Sequence, residues 1–228
     1  MNNRPAIQSP TLTAAPGSEN LPHLQGMGRR QRRAAETRLR LFRSALQLFA
    51  ERGFANVTVE DITEAADVGK GTFFNYFKSK DHVLGVMAEI QLGKVREALE
   101  LAEHHQQTTH TVLHHLFHRA AEEPGRSPDL ARAMISSFLA SEAVRKIIER
   151  NMQEGRRMIA EVVGAGQKGG EIDPRLKKEK VATQVLQTFM GTVLFWSLHE
   201  KPPLDVWMED SFQHFWRGIA VSGQEQKT

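Results

Sequence analysis

The sequence predicts an all-α fold on three observations. Apolar residues recur at three- and four-residue spacing through most of the chain after residue 39, which is the helical period. Gly and Pro pairs cut that pattern into helix-length pieces. After residue 108, no stretch of useful length alternates apolar with polar residues as a half-buried strand would. Composition fits: 228 residues allow one large or two modest domains, and 40% hydrophobic content suffices for real cores. The absence of cysteine excludes disulfides, thiolate metal sites and cysteine nucleophiles. There is neither a run of about eighteen apolar residues nor an apolar signal segment at the N-terminus, so a cytoplasmic protein without membrane insertion is expected.

Residues 1–28 are rich in Pro, Ser, Thr, Asn, Gln and Gly and lack periodicity, so this extension is expected to be disordered. Charge then becomes uneven. The net charge is only +3, yet residues 1–43 hold eight Arg against two acidic residues, and seven of those Arg lie between 29 and 43. A single-sign block at the start of a helical domain raises affinity for nucleic acid, and Arg29, Arg30 and Arg33 are candidate phosphate or minor-groove contacts.

A first helix is expected from about Leu39 to Arg52, ended by Gly53-Phe54. Residues 58–80, TVEDITEAADVGKGTFFNYFKSK, then read as two short helices around a tight turn. Thr58 can cap the first helix with Asp61 closing the box, and Val59, Ile62 and Ala66 give it a buried face. The turn falls at Ala66-Asp67-Val68-Gly69. Phe73 and Phe77, four apart, anchor one side of the second helix, which leaves Lys70, Thr72, Phe74, Asn75 and Tyr76 on the other. That is the outline of a helix-turn-helix unit whose second helix reads a major groove. Gly69 and Gly71 allow close backbone approach, Thr72 and Asn75 can bond bases or phosphates, and Phe74 suits thymine methyls. Tyr76, Lys78 and Lys80 are natural phosphate contacts, which fix register without reading sequence. A plain helical hairpin with a solvated lysine face is the alternative.

The run Thr58–Lys80, with the helix before it, resembles the N-terminal domain of TetR/AcrR-type transcriptional regulators. The resemblance implies a three-helix DNA-binding domain, residues 29–80 with the basic arm, and a helical effector-binding and dimerisation domain over residues 81–228. It also implies that Thr58 sits at a DNA phosphate, that Lys70, Gly71, Thr72 and Phe74 face bases, and that Tyr76 and Lys80 hold backbone. Two positions depart from the family pattern. The turn residue that is usually Gly is Asp67, which tolerates a left-handed conformation less well than Gly, and the position often held by Tyr is Phe74.

Ser79 can cap a long helix from about Lys80 to Ala102 that connects reader to body, as a switch requires. The body breaks at Pro124-Gly125, Ser127-Pro128, Gly169-Gly170, Pro174 and Pro202-Pro203, and one long amphipathic helix through Val144–Val163 is interrupted only by Gly155. Leu113, Phe117, Met134, Phe138 and Met152 are candidates for the lining of an apolar effector pocket or, equally, plain core. The last two helices, about 175–200 and 204–221, carry Phe189, Val193, Trp196, Phe212, Phe215 and Trp216. They suit either a four-helix bundle with a second subunit or the monomer's own core; the resemblance favours the homodimer interface.

Six of the ten histidines lie between 104 and 118, and His110, His114 and His118 follow one another at i, i+4, i+8. At 1.5 Å per residue the ends of that stripe lie about 12 Å apart, so at most two imidazoles can share an ion. No metal site and no cofactor are expected, and a solvated or interfacial histidine face explains the stripe. Nothing supports an enzyme: there is no phosphate-binding glycine loop, nucleophile elbow or metalloprotease histidine pair. The expected function is a ligand-responsive transcriptional repressor that binds a double-stranded DNA operator as a homodimer and is released by a small, mostly apolar effector. The alternatives are a metal-responsive regulator using the His104–His118 region and an architectural DNA-binding protein without an effector.

Overall fold

A computed structural model describes residues 29–103, 107–199 and 201–221. The expected disorder of residues 1–28, and His104 and His105 of the histidine-rich region, lie outside the described residues. Nine α-helices follow one another among those described: α1 (Arg29–Arg52), α2 (Val59–Ala65), α3 (Lys70–Tyr76), α4 (Lys80–Glu103), α5 (Thr109–Ala121), α6 (Pro128–Ala140), α7 (Glu142–Lys168), α8 (Lys178–His199) and α9 (Leu204–Ile219). The extended pairing present is an isolated antiparallel bridge between Ile172 and Ala220.

Contacts divide the chain into two units, residues 1–38 and residues 39–228. In the first, the basic segment is itself helical, so α1 begins ten residues before the expected Leu39. Arg and Ala are strong helix formers. The Arg32–Glu36 pair, one turn apart at 3.8 Å, and the Thr37 hydroxyl on the Arg33 carbonyl add local support. Arg29, Arg30 and Arg33 are exposed.

The second unit has two hydrophobic clusters. One joins the buried side of α1 (Leu41, Phe42, Ala45, Phe49) to Ile62, Phe73 and Phe77 of α2–α3 and to Val83, Leu84 and Met87 of α4. Leu130 and Ala133 of α6 and Val144 of α7 complete it, with Met134, Phe138 and Ile148 packed on its edge. The other cluster joins the far end of α4 to α5, α7, α8 and α9 around Phe117, Ile159, Trp196 and Phe212.

Serine and threonine start the body helices where the backbone needs acceptors. Thr108, Ser127 and Ser141 each accept from the N–H three residues on, and Ser79 accepts from His82 at the start of α4. The Glu171 carboxylate lies at the N-terminus of α5, accepting from Thr109 and His110. The break expected at Gly155 does not occur: α7 runs through it, and Gly155 is buried where an added Cβ would lie 3.7 Å from Leu92 of α4. The small residue serves helix packing here, not helix ending.

Candidate functional site

The helix-turn-helix is assembled by local hydrogen bonds. Thr58 caps α2, its Oγ1 accepting from the Asp61 N–H while the Asp61 carboxylate accepts from the Thr58 N–H at 2.7 Å, a complete capping box. The Thr58 hydroxyl also donates to the Asp61 carboxylate, and this bond first and that from the Thr58 N–H second hold the Asp61 carboxyl below its ordinary range, with Arg52 3.2 Å away adding to the effect. At the other end of α2 the Val68 N–H returns to the Thr63 carbonyl and the Asp67 N–H to that of Glu64, the paired bonds of a Schellman ending. Asp67 occupies the left-handed position of that motif, with φ +50.

Phe73 and Phe77 are fully buried, so α3 is pinned by one side. Its other side presents Lys70, Gly71, Phe74 and Asn75 exposed, with Thr72 and Tyr76 half-buried. Phe74 is 50% exposed, a large apolar surface left in water. A Cβ at Gly69 or Gly71 would meet nothing within 4 Å, so the backbone there is open to close approach. Two lysines named from the sequence are engaged. Lys70 pairs with Glu60 on α2, which lowers the Glu60 carboxyl. The Lys80 ammonium donates to the carbonyls of Phe54, Ala55 and Val57 and lies 4.6 Å from the Phe54 ring centroid. All three of its N–H groups are therefore used within the protein. Lys80 fastens the first residue of α4 to the loop before α2, and is not a free phosphate contact in this structure.

Beside this reader is a cavity of about 160 Å³ bounded by α4, α5, α6, α7 and α8. Of the residues named from the sequence for an effector pocket, Phe117, Met134, Phe138 and Met152 line it; Leu113 does not, being fully buried in the second cluster. Leu84, Met87, Leu92, Ile159, Phe189 and Val193 form much of the remaining wall. Gln91 and Asn151 are polar exceptions. The Gln91 amide donates to the Ala120 carbonyl, whereas its oxygen and the Asn151 amide nitrogen are buried without a partner among the described residues. Phe138, Ile148, Met152, Leu186 and Met190 also border a more open depression of about 750 Å³, still mainly apolar, that carries Arg145, Arg156, Glu149 and Gln153.

Residues 41–87 match the model of bacterial regulatory proteins of the TetR family. The chain is similar to the transcriptional regulator TcmR of Streptomyces glaucescens, 44% identical over 71 residues, a match that spans 31% of this chain and 30% of TcmR. A longer likeness, 26% over 179 residues, spans 77% of this chain and 90% of the repressor DhaR of a Mycobacterium species. Among solved structures, Thermus thermophilus FadR, a TetR-family repressor in complex with lauroyl-CoA, is 27% identical with a TM-score of 0.58, covering 84% of this chain and 98% of that one. Residues 41–87 are a TetR-family DNA-binding domain.

Of the six residues named from the sequence for a dimer interface, most are turned inward in the monomer. Val193, Trp196, Phe212 and Phe215 are buried in the monomer's own core, while Phe189 and Trp216 are half-buried against it. The Trp196 indole donates to the Pro202 carbonyl. These six do not form an outward face. Leu194, Phe195 and Leu198 of α8, with Val206 of α9, are exposed instead. Their helical spacing was readable, but α8 is apolar on both sides and the sequence does not say which side is inner. The same richness makes α8 long and apolar enough to cross a membrane by length and composition, although no uninterrupted apolar run occurs in it.

The histidine stripe lies between α5 and α9. His110 packs edge-on against Phe212 and Trp216, at 5.2 and 4.9 Å between centroids, and desolvation there lowers its pKa. His114 and His118 both approach one carboxylate oxygen of Glu209 on α9, at 2.7 and 3.0 Å. Partial burial alone would raise the Glu209 carboxyl, but hydrogen bonds from Gln213, His114 and His118 outweigh it and hold the group at about 2. Glu209 was not named from the sequence, because a partner 91 residues away leaves no local signal.

Proposed function

We propose that this protein is a cytoplasmic homodimeric repressor of the TetR family without enzymatic activity, released from its operator by an amphipathic acyl ligand. Residues 29–80 act as the DNA reader and residues 81–228 as the effector-binding and dimerisation body. One observation carries the reading: the cavity wall and the reader's core share side chains. Leu84 and Met87 of α4, Met134 and Phe138 of α6 and Ile148 of α7 belong to both. An occupant that pushes on them shifts α4, and Lys80 at the start of α4 holds the loop before α2. Two recognition helices in a dimer must match half-sites about 34 Å apart, so a small tilt of α4 in each subunit disfavours the DNA-bound state. The DNA contacts are Thr58, Lys70 once released from Glu60, Gly71, Thr72, Phe74, Asn75 and Tyr76, with Arg29, Arg30 and Arg33 adding phosphate affinity.

The ligand class follows from the two adjoining compartments. An acyl chain suits the apolar cavity, and an anionic head suits the depression that carries Arg145 and Arg156. Asn151 supplies an unused donor for the acyl carbonyl. Lauroyl-CoA in T. thermophilus FadR has this chemistry, which makes a coenzyme A thioester the first compound to try. Isothermal titration with a chain-length series tests it. Affinity should rise about fourfold per added CH₂, the equivalent of about 0.8 kcal/mol, until the cavity is full. Free coenzyme A should not bind, and Arg145→Ala with Arg156→Ala should weaken the thioester but not the free fatty acid. No heat from any acyl-CoA would remove this ligand class.

A further inference from the structure

We propose that His114, His118 and Glu209 form a binding site for a divalent cation of the zinc, cobalt and nickel type, clamping α5 to α9. The inference is independent of the acyl ligand and of DNA. Three observations carry it.

The first is convergence. One imidazole nitrogen of His114, one of His118 and a Glu209 oxygen all lie within 4.8 Å of one another. A tetrahedral zinc with Zn–N and Zn–O distances of about 2.0–2.2 Å holds its ligand atoms roughly 3.4 Å apart, so small side-chain rotations bring this set onto one ion. The stripe read from sequence is too long for one ion from end to end. The fold resolves this by using one histidine pair, a single turn apart, and drawing the third ligand from α9.

The second is orientation. The other Glu209 oxygen accepts from the Gln213 amide at 2.8 Å, which fixes the carboxylate without occupying the oxygen aimed at the histidines. His114 packs edge-on against Phe212 at 5.0 Å and is stacked by His110, so its ring direction is set by neighbours that are not ligands. Such outer support accompanies metal histidines and raises affinity by holding them ready.

The third is access. The side chains of His114, His118 and Glu209 are 36%, 30% and 43% exposed. A hydrated ion can reach them, and water can fill the fourth position, as in two-histidine, one-carboxylate zinc sites. The donor set is nitrogen and oxygen only, which favours borderline divalent ions over copper(I) or calcium. Between His114 and His118 stand His115, Leu116 and Phe117, without the glutamate that serves as base between the histidines of a metalloprotease helix. The site is thus a clamp, not a hydrolytic centre. Because Phe117 on the same helix lines the effector cavity, an ion that stiffens α5 gives the body a second, inorganic input.

The test is isothermal titration of the full-length, chelator-treated and tag-free protein with zinc chloride, paired with the visible spectrum of the cobalt(II) form. The expected result is one ion per chain, intense tetrahedral cobalt bands, and at least a tenfold loss of affinity in both Glu209→Gln and His118→Gln. Circular dichroism should show that both variants keep the wild-type helix content. His104→Gln with His105→Gln should leave binding unchanged. No heat and no cobalt bands, or binding that survives Glu209→Gln and His118→Gln but is lost with His104 and His105, would overturn the site.

Discussion

At the scale of single residues the reader is controlled by a few charges and one backbone angle. Asp67 sits at φ +50, where a β-carbon costs roughly 1–2 kcal/mol unless a short polar side chain relieves it. Asp67→Ala should therefore destabilise the protein by about 1 kcal/mol in urea unfolding, and Asp67→Gly should not. Glu60 pairs with Lys70, a proposed DNA contact. Glu60→Gln should raise operator affinity several-fold with a steeper salt dependence, read by fluorescence anisotropy at two ionic strengths. Asp61 shows the sign of the pH response. Its folded pKa lies below the unfolded value of about 4, so its contribution is complete above that pH and fades as pH falls below it. Asp61→Asn should lower stability at pH 7 and flatten the loss between pH 5 and 3. These features were legible in the sequence because they are local, with box, turn and aromatic anchor within a few residues of one another. The bonds of Lys80 were not legible, because its acceptors, Phe54, Ala55 and Val57, lie in a loop more than twenty residues earlier.

At the scale of elements the sequence located the helices and mistook some of their faces. Periodicity found α2 to α4 and the Pro-marked ends of the body helices, but α1 begins at Arg29 because Arg and Ala need no apolar stripe to be helical. In α8 apolar residues lie on both sides, so Trp196 reads as well for an interface as Phe195. Burial separates them: Trp196 is 3% exposed and Phe195 56%. We propose the exposed row Leu194, Phe195 and Leu198, continued by Val206, as the face offered to a second copy. A charge placed there should break the dimer while leaving the monomer core intact. Phe195→Asp should elute near 25.7 kDa in size-exclusion chromatography with light scattering, at unchanged helix content. Trp196→Ala should instead unfold the body, at a cost of about 3–5 kcal/mol.

At the scale of the whole chain, the coupling lies in shared packing. Four of the five pocket residues named from sequence do line the cavity, but the gap between α4, α6, α7 and α8 is a product of helix placement that periodicity does not encode. The residues that matter most, Leu84, Met87 and Ile148, are ordinary core positions until the cavity and the reader are seen to divide them. Packed interiors have discrete arrangements and little capacity to deform smoothly, so an occupant here is expected to select between reader geometries. Filling this cavity is expected to loosen the reader. The most direct test is the affinity of the purified dimer for an operator recovered by selection from genomic fragments, with and without saturating long-chain acyl-CoA. At least a tenfold loss of affinity, about 1.4 kcal/mol of coupling, is expected, abolished when Met134→Trp fills the cavity. Acyl-CoA that binds tightly and leaves the operator affinity unchanged would contradict that expectation.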